Sequence, residues 1–179
     1  MIFQRTDNAW YFINKGLESM NYDQYKKAIP KFNKAISLEP HNHVALLHKG
    51  RSLYKIGDYQ NALQCFNTIL KSDPKHLDAL LNQGLTFKKM ENFTQAIISF
   101  KKLLEIDSHN SDALISLGLC FSKLGKNEDA LKLIDSVLSI NPKITPPAIP
   151  EPKLFQDGSG FIPKNSPAVK SGFFSFATA

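Results

Sequence analysis

Apolar residues recur at three- and four-residue spacing through most of the chain, in runs separated by short polar breaks. Leu77, Leu80, Leu81, Gly84, Leu85 and Phe87 fall on one face of a helix, and after a break the run "TQAIISFKKLLEI" falls on another. The breaks read "KIGDY", "KMENF" and "KLGKN", where Gly57, Gly125 or an Asn allows a tight turn. The second run of each pair ends at Pro or Ser. Each pair therefore predicts a helix–turn–helix hairpin.

The hairpins repeat. Gly16, Gly50, Gly84 and Gly118 are spaced 34 apart, and so are Ala28, Ala62, Ala96 and Ala130. Further registers hold Phe32, Phe66, Phe100 and Ile134, then Ala35, Ile69, Leu103 and Val137. Pro40, Pro74 and Pro142 mark a fifth, with Ser108 as its exception. A period of this length means a stacked array in which each unit buries its apolar face against the next. The spacing predicts repeats over 9–42, 43–76, 77–110 and 111–143, between an N-terminal extension (1–8) and a tail (144–179).

An interior helical Gly costs roughly 1 kcal/mol relative to Ala. Four of them at one register need an offset, and close packing of two helices supplies it. Each Gly is expected where the second helix crosses the first, facing the Ala twelve residues later, with the Phe beyond it filling the space beside the contact.

This pattern resembles the tetratricopeptide repeat: Gly with an aromatic or Leu on the first helix, then Tyr/Phe, Ala, Phe, Ala and Pro on the second. The resemblance covers about residues 9–143. It implies an all-α, tetratricopeptide-type α-solenoid of four helix–turn–helix hairpins, here followed by a Pro-rich non-helical tail. The first repeat departs in Ser19, where later copies carry Leu53, Phe87 and Phe121, and in Pro30, which predicts a late start or a bend in its second helix. Asn127 replaces the aromatic of Tyr25, Tyr59 and Phe93.

By the same resemblance the first helices line a concave groove. Asn14, His48, Asn82 and Ser116 stand two before each Gly. All four form hydrogen bonds, and a ladder of such groups can hold the backbone of an extended peptide without reading its side chains. It resembles the asparagine ladder in the repeats of O-linked N-acetylglucosamine transferase, with two of four rungs Asn; the alternative is a solvated polar face. Ile13, Leu47, Leu81 and Ile115 stand three before each Gly, as packing between repeats or as a hydrophobic floor. Leu17, Arg51, Leu85 and Leu119 follow each Gly. Arg51 with Lys55, Lys88, Lys89 and Lys123 gives the groove a basic edge suited to an acidic peptide, or an ordinary solvated lysine face.

One family-specific motif is absent. The carboxylate clamp of heat-shock co-chaperones needs Lys, Asn, Asn, Lys and Arg at positions that here read Ile13, Leu17, His48, Asp78 and Asn82. Starting one repeat later they read Leu47, Arg51, Asn82, Asp112 and Ser116. Asp78 and Asp112 carry the wrong sign.

The net charge of +6 comes from lysines interleaved with acids, with only Arg5 and Arg51 as arginines, so nucleic acid is not indicated. No apolar run approaches the ~18 residues of a membrane span, and the N-terminus lacks a basic stretch followed by an unbroken apolar segment. A cytoplasmic protein is expected. Cys65 and Cys120 read as buried thiols, and the sequon Asn92-Phe93-Thr94 as an accident of composition. His41, His43, His76 and His109 fall at the junctions between repeats without completing a metal site. No phosphate loop or nucleophile–base pair is present, so the chain is read as a non-enzyme without a cofactor.

The expected function is a scaffold or adaptor that binds an extended peptide segment in the groove. A structural alternative is weak self-association, or docking on another solenoid, through an uncapped C-terminal end where Leu131, Ile134 and Leu138 are expected to be partly exposed. An enzyme-class rival treats the chain as a repeat module of a larger transferase. The tail begins with the extended "ITPPAIPEP" and holds five of the thirteen phenylalanines. It is expected to be largely disordered with occasional fold-back, against the alternatives of an irregular cap, a linear motif or a gene end without selected function.

Overall fold

The computed structural model describes residues 8–140. The expectations for the tail and for most of the N-terminal extension lie outside the described residues. Eight α-helices follow one another: α1 (Ala9–Asn21), α2 (Tyr25–Leu38), α3 (His43–Lys55), α4 (Tyr59–Ser72), α5 (Leu77–Lys89), α6 (Phe93–Ile106), α7 (Ser111–Lys123) and α8 (Asn127–Ile140). The described residues contain no strand. Every odd helix has 13 residues and every even one 14, so the 34-residue period survives in the fold.

The helix starts have a register of their own. Asn8, Asn42, His76 and Asn110 are the N-caps of the odd helices, and each side chain accepts from the N–H three residues on, at 2.9 to 3.3 Å. A cap of this kind satisfies a backbone donor that the helix cannot. Asp58 and Asn92 do the same for α4 and α6. His76 thus serves as a cap through Nδ1.

The hairpin turns place one residue in the left-handed region each time. Gly57 (φ 85°) and Gly125 (φ 75°) adopt it freely, whereas Asp23 (φ 55°) and Glu91 (φ 58°) do so with a Cβ. In "KMENF" the strained residue is therefore Glu91, and the Asn expected to make that turn is the cap of α6. Because a left-handed non-glycine residue costs about 1–2 kcal/mol, Glu91→Gly should stabilise the chain by roughly 1 kcal/mol after the entropy of Gly is subtracted. A raised urea midpoint with unchanged slope would show it; a lowered midpoint would contradict it.

Pro30 does not delay α2. The helix starts at Tyr25, in register with Tyr59, Phe93 and Asn127, and carries Pro30 at its sixth position. Pro30 is exposed, so water can take the hydrogen bond that its missing N–H leaves open.

The described residues fall into two compact units that divide between Met90 and Glu91. In the first, α1 packs on α2, α2 on α3, α3 on α4 and α4 on α5, while α1 also meets α3 and α3 meets α5. In the second, α6 packs on α7 and α7 on α8. Phe32 and Phe66 are fully buried in the first unit and Phe100 in the second.

At Gly16 and Gly50 the atoms nearest to an added Cβ belong to the Phe rings. A Cβ on Gly16 would fall on the Phe32 ring, and one on Gly50 would lie 2.5 Å from Phe66 Cε1. Gly118 is roomier: its nearest neighbours are the Ala130 carbonyl oxygen at 3.5 Å and Ile134, which replaces the aromatic, at 3.8 Å. In the same unit, Ile134 and Leu138 are 2% and 7% exposed, packed with Ala130 and Phe121. This corrects the expectation that both are partly exposed. Leu131 alone of the three is half-buried.

Candidate functional site on the odd helices

In the first unit α1, α3 and α5 are neighbours, and the three expected rungs they carry have different surroundings. Asn14 is exposed on α1. On α3, His48 is half-buried with its ring 6.0 Å from that of Phe32 and nearly parallel to it, at 23°. Its Nδ1 is buried without a hydrogen-bond partner among the described residues. On α5, Asn82 is half-buried, and its Nδ2 donates to the Asp78 carbonyl oxygen at 2.7 Å. Only the amide nitrogen can donate there, which leaves Oδ1 as an acceptor. Ser116, on α7 of the second unit, is 5% exposed and presents little of its hydroxyl to solvent.

One turn before each rung stands a side chain that sets its character: Trp10, Val44 and Asp78. Trp10 is 53% exposed and Val44 36%, so the face is apolar toward α1 and α3. Trp10 is inconspicuous in the sequence, although its register is visible as the position six before each Gly. Ile13 and Leu47, three before the Gly, are buried in the core clusters, which is the packing role.

Arg51 does not stand alone. Its Nη2 donates to Asp78 Oδ1 at 2.7 Å, from α3 to α5. With side chains 34% and 54% exposed this is a surface pair, worth about 0–1 kcal/mol to stability. Spacing alone presents Arg51 as a groove cation and Asp78 only as a residue of the wrong sign for a clamp. Lys55, Lys89 and Lys123 are exposed in the last turns of α3, α5 and α7, where a cation also suits the negative end of the helix dipole.

Burial lowers the His48 pKa below its ordinary value near 6.5, with Arg51 adding to the shift and Asp78 opposing it. The folded chain then binds fewer protons at this ring than the unfolded one. Stability is complete above pH ~6.5 and falls as pH drops toward the depressed native value. His48→Gln should flatten this part of the curve in thermal melts between about pH 7.5 and 5.5. Parallel curves for the two proteins would contradict it.

A concavity of about 390 Å³ lies on α3 and α4, lined by Leu46, Lys49, Leu53, Asn61, Gln64, Cys65 and Thr68. Burial pushes the Cys65 thiol pKa up, which makes it a poor nucleophile. The junction histidines His43, His76 and His109 are engaged locally. His43 Nε2 lies 2.9 Å from Ser72 Oγ, and its ring meets that of His76 edge-on at 5.7 Å. Among the described residues no three His, Cys, Asp or Glu side chains are placed to hold a metal ion.

The tetratricopeptide repeat model matches residues 21–84 and 89–148, more than half of the chain. The chain belongs to the tetratricopeptide repeat family. Solved structures agree in fold. MamA superposes with a TM-score of 0.73 at 22% identity, over 78% of this chain and 81% of that one. A thermophilic tetratricopeptide protein of Thermus thermophilus, TTC0263, superposes at 0.65 and 17% identity, over 75% of each chain. YrrB, described as a tetratricopeptide protein with an unusual peptide-binding site, superposes at 0.67 and 20%, over 79% and 73%. No curated protein matches the chain in sequence. The tetratricopeptide fold is a protein–protein interaction scaffold and is typically non-catalytic. No described helix is long and apolar enough to cross a membrane.

Proposed function

We propose that the chain is a non-catalytic adaptor that binds an extended protein segment across α1, α3 and α5, holding its backbone with Asn14, His48 and Asn82. The observation that carries this reading is the single register of three side chains with unused hydrogen-bonding capacity, set beside the exposed Trp10 and Val44. Polar groups fix the course of the backbone and the apolar pair offers an anchor for one side chain. Lys55 and Lys89 border the same helices, and the peptide-binding site of YrrB, on a similar fold, supports the reading. Ser116, being buried, has no part in it, and neither does Lys123 on the other unit. The self-association alternative rests on an open apolar end; with Ile134 and Leu138 buried, no observation favours it.

Each hydrogen bond to a ligand is worth about 0.5–1.5 kcal/mol, so Asn14→Ala/Asn82→Ala should weaken capture of a groove partner roughly tenfold. Quantitative pull-downs with wild type and double variant, after matching their melting temperatures, test this. Identical capture would contradict the groove.

A further inference from the structure

The seam between α3 and α5 carries its own neutralised charge. Arg51 stands three residues after His48 on α3, and Asp78 four before Asn82 on α5, so each member of the ion pair is one helical turn from a rung. His48 feels both charges, one from its own helix and one from across the seam. An anionic group approaching Arg51 would meet Asp78 Oδ1 2.7 Å from the same guanidinium. Attraction and repulsion at such similar ranges nearly cancel in water. A groove with an unpaired Arg at this position would behave in the opposite way.

The two rungs beside the pair have fixed polarity. A buried N–H without a partner is rarer and costlier than a buried acceptor without one. The unpartnered Nδ1 of His48 therefore carries the lone pair and Nε2 carries the proton. Among the described residues no hydrogen bond engages Nε2, so it offers a donor. Asn82 gives one Nδ2 hydrogen to the Asp78 carbonyl, which orients the amide and leaves Oδ1 as its open acceptor. Donor on one helix and acceptor on the next complement the C=O and N–H of an extended backbone, and neither bears a charge.

We propose that this seam makes the α1–α3–α5 face select a protein segment that is uncharged where it crosses α3 and α5, held by one backbone carbonyl at His48 and one backbone N–H at Asn82. The inference rests on the groove reading above and names the partner chemistry of that site. It departs from the acidic partner that the lysine edge suggests, because the seam, and not the edge, lies next to the rungs.

Panning a displayed library of linear peptides on the full chain tests it, using wild type, Asp78→Asn and Asn14→Ala/Asn82→Ala. Asp78 is exposed, so its replacement leaves the fold intact while uncovering Arg51. Wild type should enrich peptides without Asp or Glu bias, and Asp78→Asn should shift the pool several-fold toward acidic residues. A wild-type pool already rich in Asp and Glu, or a pool unchanged by Asp78→Asn, overturns the charge selection alone. No enrichment over the double-alanine variant overturns the groove reading itself. Independently of any ligand, ¹⁵N-detected NMR of the imidazoles should place the His48 proton on Nε2; a protonated Nδ1 overturns the donor assignment.

Discussion

Replacing Phe66 with Ala is expected to destabilise the chain by about 3–5 kcal/mol, the range for deleting a fully buried aromatic ring. The ring is 0% exposed and lies in a cluster with Leu46, Leu47, Leu53, Ala62 and Ile69, with Gly50 beneath it. Gly50 has no side chain to relax into the vacated space, and Ala62 on α4 is too short to reach it. The residual cavity therefore stays largely open, which puts the cost toward the upper end of the range. Against a typical total of ~5–15 kcal/mol this is a third or more of the stability. Urea unfolding followed by circular dichroism measures it. A loss below about 1 kcal/mol would mean that the ring does not carry the contact between α3 and α4.

Gly50→Ala is expected to destabilise even though Ala is the better helix former. The gain in propensity is about 1 kcal/mol, while overpacking a tight core costs typically 1–3 kcal/mol and occasionally more. The added Cβ would lie 2.5 Å from Cε1 and 2.8 Å from Cζ of a ring that is packed on all sides. Neither α3 nor the ring can yield without disturbing the cluster, so the net loss should be about 1–3 kcal/mol. Two controls isolate the cause. Combining Gly50→Ala with Phe66→Leu should cost less than the sum of the single changes, because the smaller side chain removes the clash. Gly118→Ala should be neutral or stabilising by up to ~1 kcal/mol, since its neighbours stand at 3.5 Å and beyond. A destabilised Gly118→Ala beside a neutral Gly50→Ala would contradict this account of the small residues.

These two sites show how far a repeat can be read from residues alone. The helix pairs and their period are legible because four copies of one pattern reinforce each other, and the need for an inter-helix contact at the Gly register follows from the propensity cost. That a Phe ring comes nearest to Gly16 and Gly50 depends on its rotamer, which periodicity does not encode. The cap register of Asn8, Asn42, His76 and Asn110 stands in the sequence at the same 34-residue spacing. It is hidden by His76, whose capping nitrogen resembles a metal ligand in composition. Glu91 is obscured by the Asn beside it, the better candidate for a left-handed turn on propensity.

The candidate site is legible as a register and not as an environment. Spacing places Asn14, His48, Asn82 and Ser116 at one angular position around their helices. It does not say how deeply neighbouring side chains bury each one, and Ser116 is 5% exposed where Asn14 is open. Arg51 and Asp78 are 27 residues apart, and their pairing depends on the stagger between α3 and α5, which only the packed helices define. The same holds for Ile134 and Leu138, whose burial comes from how α8 meets Phe121.

The groove itself is tested most directly by site-specific photo-crosslinking. A photo-reactive amino acid is placed at Asn14 or Asn82 on the first-helix face, and at exposed Gln60 or Gln64 on α4 as controls, in the full chain within its source lysate. The account predicts protein adducts from Asn14 and Asn82, with the same partner captured at both, and none of that partner from α4. Adducts from the α4 positions with silent first-helix positions would place binding on the other face and contradict it.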